Sequence, residues 1–241
     1  MPTRPGNLLG SEYARILVYD IESTSLDADT GDLLVFGWKW LGEKKVHTPS
    51  VLDTNDPCDD CGRIEISEKA LVKEAYAVMS QADVCVTFNG QRFDSPYMNT
   101  KFLMYGLDAL PSSSQVDLYQ VLRHKTRMSS KRLANAALVF KLNHEKTVLD
   151  WAIWRRAAKG YVKDIKYIRD HADADVLVTE ELYGKLRQHV RQHPRVNGYA
   201  PCRRCGEDTL QRRGRAITIY RGQQFRFQCK SCGGWETRAA A

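Results

Sequence analysis

The sequence predicts a mixed α/β domain followed by a small β module, and three observations carry that reading. Short β-branched runs come first, and helical periodicities follow and then dominate. A stretch rich in Pro, Gly and Asn, HPRVNGYAP (193–201), then reads as a linker. Beyond it, two CxxC pairs bracket a segment of alternating apolar residues, the pattern of a metal-stapled β module. The expected division is a first domain over 13–192, a linker over 193–200 and the β module over 201–238.

ARILVYDIE (14–22) is apolar and β-branched and reads as a buried strand ending in acids. DLLVFGWKWLG (32–42) reads as a second strand, and a third is expected around 43–50. In SEKALVKEAYAVMSQA (67–82), Ala70, Leu71, Ala75, Val78 and Met79 recur at spacings of three and four, which predicts a helix with Ser67 as its N-cap. DVCVTFN (83–89) is a buried strand closed by Asn89-Gly90, and a helix over 93–106 follows, starting near Pro96. A strand or loop then leads into a helix at VDLYQVLRHK. Further helices are expected over 129–141, near 148–159 and over 161–192.

Composition excludes several classes. Of 241 residues, 43% are apolar and 27% charged, which is globular rather than disordered or fibrous. No run approaches the ~18 apolar residues of a membrane span. The N-terminal MPTRPGNLLGSEYAR has no apolar core of a secretory signal, so the expected setting is the cytoplasm. Six of the seven cysteines form CxxC pairs, which in a reducing compartment points to metal rather than disulfides.

Charge is uneven. Residues 191–241 hold 11 Lys and Arg against three acids, a net +8, which leaves the first 190 residues at −1. A basic tail on a near-neutral body favours phosphate backbones with little sequence preference. In that tail, Cys202, Cys205, Cys229 and Cys232 form two knuckles 23 residues apart, suited to a tetrahedral Zn²⁺ shell. Ile217, Ile219, Phe225 and Phe227 alternate between them, as in the strands of a zinc ribbon. Arg212, Arg213, Arg215 and Arg221, with Tyr220, Phe225 and Trp235, are candidate contacts to a nucleic-acid backbone and its bases. A third pair, Cys58 and Cys61, supplies only two ligands; a metal there would need His47, a nearby carboxylate or a second chain. Cys85 sits within a strand and reads as a small apolar core residue.

The candidate chemistry is built from carboxylates. Asp20 and Glu22, at i and i+2 of the first strand, point to one face. Such a pair is costly to bury without hard cations as partners. Asp94 follows a second buried strand, and Asp175 lies on a helix whose Val176, Leu177, Leu182 and Leu186 are expected to face the core. Acids delivered by three separate elements suit two divalent ions held against a phosphodiester.

DIE in the first strand, NGxxFD after a central strand and the late acid of ADVLVTEELY together resemble the three motifs of the DEDD-superfamily 3′–5′ exonucleases. Across residues 13–192 the resemblance implies an RNase H-like mixed sheet flanked by helices. With the terminal ribbon, the chain is similar to small phage-encoded exonucleases of the DNA-polymerase-B type. It implies two Mg²⁺ or Mn²⁺ ions on Asp20, Glu22, Asp94 and Asp175, and one structural Zn²⁺. The superfamily divides on a Tyr four residues, or a His five residues, before the last acid; here position −4 is His171 and position −5 is Asp170. His171 shares a helical face with Asp175 and is the candidate general base, whereas Tyr167 lies a further turn back. Ser23, Thr24 and Leu26 follow the acid pair where the family places substrate contacts and a wedge between terminal bases; Asn89 and Phe93 are candidate linings for the terminal nucleotide, Phe93 alternatively a core residue, and RHKTRMSSKR (123–132) is a candidate guide for the strand or an ordinary solvated face.

The implied reaction releases nucleoside 5′-monophosphates from DNA 3′ ends, single-stranded or frayed, with a polymerase or other replication protein as a partner in trans and no membrane partner. For a phage-encoded chain the location is the host-cell cytoplasm. Rival readings are a 3′–5′ exoribonuclease, an RNase H-like endonuclease or junction resolvase, and a non-catalytic nucleic-acid-binding or replication-docking protein.

Overall fold

The computed structural model describes residues 15–190 except 59, 112, 146 and 148, then 193, 202, 204, 205, 207, 209–218 and 222–239. The linker, apart from His193, lies outside the described residues, as do Ile219, Tyr220 and Arg221. The chain divides into two compact units, Ile16–Gly184 and a second one containing Lys185–Ala241.

In the first unit β1 (Ile16–Ser23) is the hub of a four-stranded sheet. It pairs antiparallel with β2 (Leu33–Trp40) and parallel with β3 (Val84–Thr87), and β3 pairs parallel with β4 (Ser114–Asp117). The order β2-β1-β3-β4 makes a mixed sheet, flanked by helices as the sequence implies. The third strand expected at 43–50 is reduced to isolated bridges, Trp38 to His47 and Val35 to Ser50. Pro49, which has no N–H, contributes only its carbonyl, to Phe36 N–H, so no continuous ladder can run there.

The helices are α1 (Lys69–Met79), α2 (Asp94–Met104), α3 (Leu118–Lys125), α4 (Leu133–Phe140), α5 (Trp151–Ala157) and α6 (Val162–Leu186). Two boundaries differ from expectation. Helix α2 starts at Asp94, two residues before Pro96, and α6 stops at Leu186, where a 3-10 turn replaces its expected last turn. Ser67 does not cap α1. Glu68 takes the N-cap position, with no side-chain cap bond, because its carboxylate is committed elsewhere. It accepts from Lys101 Nζ, the Leu33 N–H and the Tyr105 hydroxyl, while Lys101 also donates to the Gly31 carbonyl. This fully buried pair ties the β1–β2 loop to α2.

On its other face the sheet receives α6. Gly37 of β2 lies directly across from Asp20. A Cβ there would fall 3.2 Å from Val176 Cγ2 and 3.3 Å from both the Cβ and the carbonyl oxygen of Ala172. Two residues on, Lys39 donates to Glu180 and fixes the helix along its length. Along α6, Ala172, Val176, Val178, Leu182, Tyr183 and Leu186 are buried, while Leu177 is half-buried.

The second unit holds a three-stranded antiparallel sheet, β5 (Leu210–Thr218), β6 (Gly222–Cys229) and β7 (Trp235–Ala239), in the order β5-β6-β7. Gly233, directly after the Cys229–Cys232 knuckle, has φ +68, a left-handed conformation that glycine adopts without strain.

Substituting Gly37→Val should push α6 off the sheet. Denaturant unfolding of this variant should show a loss of about 1–3 kcal/mol; an unchanged midpoint would mean that the helix is not held at this contact.

Candidate active site

The site forms where β1 ends beneath α6. Beyond Val18, which pairs with Val86, β1 outruns its partner β3. The Ile21 N–H is there received by Asp94 Oδ1, at 3.1 Å. That bond fastens the first residue of α2 to β1 beside the acid pair. Asp20 and Glu22 alternate with the core residues Tyr19 and Ile21, and Tyr19 reaches across to Ser95 of α2 through its hydroxyl (2.8 Å). Asp20 and Glu22 thus share the sheet face that carries Gly37 and receives α6.

Helix α6 supplies His171 and Asp175, one turn apart. The ligand atoms of Glu22, His171 and Asp175 all lie within 4.8 Å of one another, and all three residues are buried. His171 Nε2 stands 3.7 Å from Asp175 Oδ2 and 3.9 Å from Glu22 Oε1. The other ring nitrogen, Nδ1, is engaged by the Thr147 hydroxyl. Asp170, at position −5, is exposed, so His171 at −4 is the residue turned to the acids, and Tyr167 is 43% exposed. Asp20, Glu22, His171, Asp175 and Thr147 line a cleft of about 480 Å³, together with Leu149 and Trp154. Asp94 stands outside the three-residue cluster, held against β1.

Asp94 is fully enclosed, and burial pushes its carboxyl up to about 7, against the pull of the Ile21 and Asp94 backbone N–H groups and with a contribution from the Asp117 charge. A cation beside it would reverse that shift. Hard carboxylate oxygens are the donors Mg²⁺ or Mn²⁺ prefers, and the Glu22, His171 and Asp175 cluster from β1 and α6 is a candidate site for such an ion.

Of the substrate-contact candidates, Leu26 is 80% exposed on the β1–β2 loop. The Ser23 and Thr24 hydroxyls are engaged within that loop, with Ser25 C=O and Asp32 N–H. Asn89 adopts φ +66 at the turn after β3. Phe93 packs partly against the core and lies near Tyr97, ring centroids 5.7 Å apart.

Two contributing residues escaped the sequence reading. Asp117 accepts from the N–H groups of Asn89 (2.9 Å), Gln91 (3.4 Å) and Tyr119 (2.9 Å), so it shapes the turn before α2 and caps α3. An Asp directly before a helical run was the available signal. Thr147, from an irregular segment, had none.

In the second unit, Cys202, Cys205, Cys229 and Cys232 converge. The Sγ separations are 3.7 Å for Cys202–Cys232 and 3.5 Å for Cys205–Cys229. A tetrahedron with ~2.3 Å metal–sulfur bonds has edges of about 3.8 Å, so the cluster fits zinc binding. Burial raises the Cys229 thiol, but the Thr209 hydroxyl and the Cys232 N–H outweigh it and bring the thiol down to about 6. Arg212, Arg213 and Arg215 are exposed along β5, and the Arg212 guanidinium lies 3.4 Å over the Phe225 ring. Trp235 is 49% exposed. Cys85 is buried, as expected.

A mixed sheet flanked by helices, with acids from three elements gathered at one end of its central strand, defines an RNase H-like domain with an acidic cleft. The comparisons agree. The RNase_H superfamily matches residues 17–187, and the chain belongs to it. It is also 25% identical to a DNA polymerase of Methanocaldococcus jannaschii, over 42% of this chain and 8% of that polymerase. Among the described residues no helix is long and apolar enough to cross a membrane.

The Asp94 shift has a sign that can be measured. Its carboxyl is ordinarily near 3.8 and sits at about 7 in the folded protein, so between those values the fold retains a proton that the unfolded chain has lost. Its stabilising contribution is complete below the lower value and disappears as pH rises through the upper one. After dialysis into magnesium- and manganese-free buffer, the melting temperature should fall from pH 5 to pH 8 more steeply for the wild type than for Asp94→Asn. Added Mg²⁺ should recover the wild type most at pH 8. Parallel curves for the two proteins would refute the assignment.

Proposed function

We propose that the chain is a metal-dependent 3′–5′ exonuclease that releases nucleoside 5′-monophosphates from DNA 3′ ends. The observation carrying this reading is the meeting of Glu22, His171 and Asp175 in a cleft lined by Asp20. The DNA-polymerase relative favours DNA over RNA as substrate and suggests a replication setting, with a polymerase or other replication protein acting in trans.

In this reading Asp20, Glu22, Asp94 and Asp175 hold two Mg²⁺ or Mn²⁺ ions. When bound, these lower the pKa of the attacking water and stabilise charge on the leaving 3′ oxygen. Glu22 positions the water. His171, with Nδ1 committed to Thr147, turns Nε2 toward Glu22 and Asp175 and takes the water's proton there. Thr147 is a positioning residue that fixes the imidazole plane. Leu26 stands exposed on the braced β1–β2 loop, where it contacts the terminal bases, and Asn89 and Phe93 border the terminal nucleotide. Zn²⁺ on the four clustered cysteines folds the C-terminal sheet as a zinc ribbon. Arg212, Arg213 and Arg215 on β5 then meet the DNA backbone.

A 5′-labelled single-stranded DNA oligonucleotide with Mg²⁺ or Mn²⁺ should give a ladder shortening from its 3′ end, slowed by a 3′-phosphate. Asp20→Ala should reduce the rate by at least about 10²–10³-fold. His171→Ala should cost about 10²-fold and remove the acid limb of the pH–rate profile. Cleavage of closed circular DNA would instead establish an endonuclease, and an unchanged pH profile would remove His171 as the base.

The C-terminal sheet yields a separate expectation. Cys202→Ser should lose its zinc and bind DNA about tenfold more weakly, with a smaller dependence on salt. Turnover of short oligonucleotides should change little; loss equal to that of Asp20→Ala would contradict two separable modules.

A further inference from the structure

The third CxxC pair is not absorbed by the nuclease reading, yet it is a built structure. Pro57-Cys58-Asp59-Asp60-Cys61-Gly62 repeats the frame of Pro201-Cys202-Arg203-Arg204-Cys205-Gly206, differing only in the two central residues. The Cys58 N–H donates to the Arg63 carbonyl (2.8 Å) and the Gly62 N–H to the Cys58 carbonyl (3.1 Å), closing a turn in which Gly62 has φ +62.

The knuckle is mounted rigidly. Gly62 C=O accepts the Val162 N–H (3.2 Å) at the start of α6, and the Ile64 N–H donates to Gly160 C=O (2.9 Å). Arg63 bridges to Tyr161 and lays its guanidinium 5.3 Å over that ring. Both thiols are exposed, with exposed Asp56 and Asp60 beside them.

Among the described residues, no third ligand stands with Cys58 and Cys61. His47, the sequence candidate for a third ligand, is stacked on Trp38 at 4.1 Å and paired with Glu43. All six histidines are among the described residues, and none of these residues joins Cys58 and Cys61 in a ligand cluster. Cys85 is buried in β3, and the other four cysteines are gathered in their own cluster. With no third ligand among the described residues, a four-sulfur shell draws its other two ligands from another molecule. The simplest donor with the right chemistry is the same thiol pair on a second copy.

We propose that Cys58 and Cys61 form a thiolate half-site for a soft divalent cation of the Zn²⁺ class, shared between two copies of this chain in a tetrahedral four-sulfur shell. Loading converts four thiols to thiolates and releases their four protons to solvent. Two acidic knuckles repel each other without the cation and are joined by it, so the association is metal-dependent.

The test uses the full chain, purified under thiol reductant with Zn²⁺ supplied. It is compared with the Cys58→Ser/Cys61→Ser double variant by metal analysis, light scattering and intact mass. The wild type should carry about half a zinc ion more per chain than the variant, and should be a dimer where the variant is a monomer. The difference between the two proteins is independent of the zinc at Cys202, Cys205, Cys229 and Cys232, which both retain. A Cys58→His single variant, which keeps a zinc-binding atom, should keep the dimer. Equal zinc content and equal mass would overturn the proposal. So would a full extra ion without dimerisation, or a wild-type intact mass about two daltons low, the mark of an internal disulfide.

Discussion

The arrangement depends on how closely α6 can lie on the β1–β2 hairpin. Side chains on facing elements normally hold a helix well away from a sheet. At Gly37 there is none, and the carbonyl of Ala172 comes to within 3.3 Å of where a Cβ would stand. Gly37 pairs with Asp20, so the gap opens beside the acid pair of β1. One turn of α6 on either side of that contact then decides which of its residues reach the acids: His171 and Asp175 do, and the exposed Asp170 does not. Lys39, on the same face of β2, holds Glu180 and keeps the helix from sliding along the strand. A site that needs its carboxylates within 4.8 Å is therefore obtained from a missing side chain on a neighbouring strand.

That closeness has an electrostatic cost. Glu22, Asp94, Asp117, His171 and Asp175 are all buried in the first unit. Asp117 is satisfied by three backbone N–H groups, a structural solution that needs no ion. Asp94 has two backbone donors and is still pushed toward its neutral form by burial. The difference separates a carboxylate satisfied by the turn it organises from one whose charge burial still disfavours. The same logic explains Lys101 and Glu68, which neutralise each other inside the domain and hold the Leu26 loop by its backbone at Gly31 and Leu33. Such pairs add little net stability, but they specify one conformation of the loop they bind.

Much of the site was legible because its chemistry coincides with periodicity. Asp20 and Glu22 share a face through the two-residue repeat of a strand, and His171 and Asp175 through the turn of a helix. Burial turns His171 at −4 to the acids and leaves Asp170 at −5 exposed, a difference that spacing alone does not report. What could not be read depends on contacts between distant segments. Thr147 lies in an irregular stretch and meets His171 only because the tertiary fold brings them together. Gly37 reads as an ordinary strand residue until α6 is placed above it. Ser67 looked like a cap by local rules, but Glu68 holds the position because a buried lysine 33 residues away claims its carboxylate. The strand expected at 43–50 failed for a local reason, since Pro49 has no N–H to give to a ladder with β2.

The two repeated knuckles show how one backbone frame can serve opposite electrostatic ends. Both share the sequence frame Pro-Cys-x-x-Cys-Gly. In the C-terminal sheet the central residues are arginines. A second knuckle completes the sulfur set there, and exposed arginines along β5 extend the positive charge. In the first unit the central residues are aspartates, and Cys58 and Cys61 have no second knuckle beside them in their own unit. The first arrangement neutralises its thiolates internally and directs positive charge outward, which suits a polyanion. The second leaves thiols and carboxylates together on the surface, which suits a cation. Since Gly62 also receives the first residue of α6, the acidic knuckle is braced by the helix that carries His171 and Asp175. A metal gathered there would bear on the end of the element that sets the geometry of the cleft.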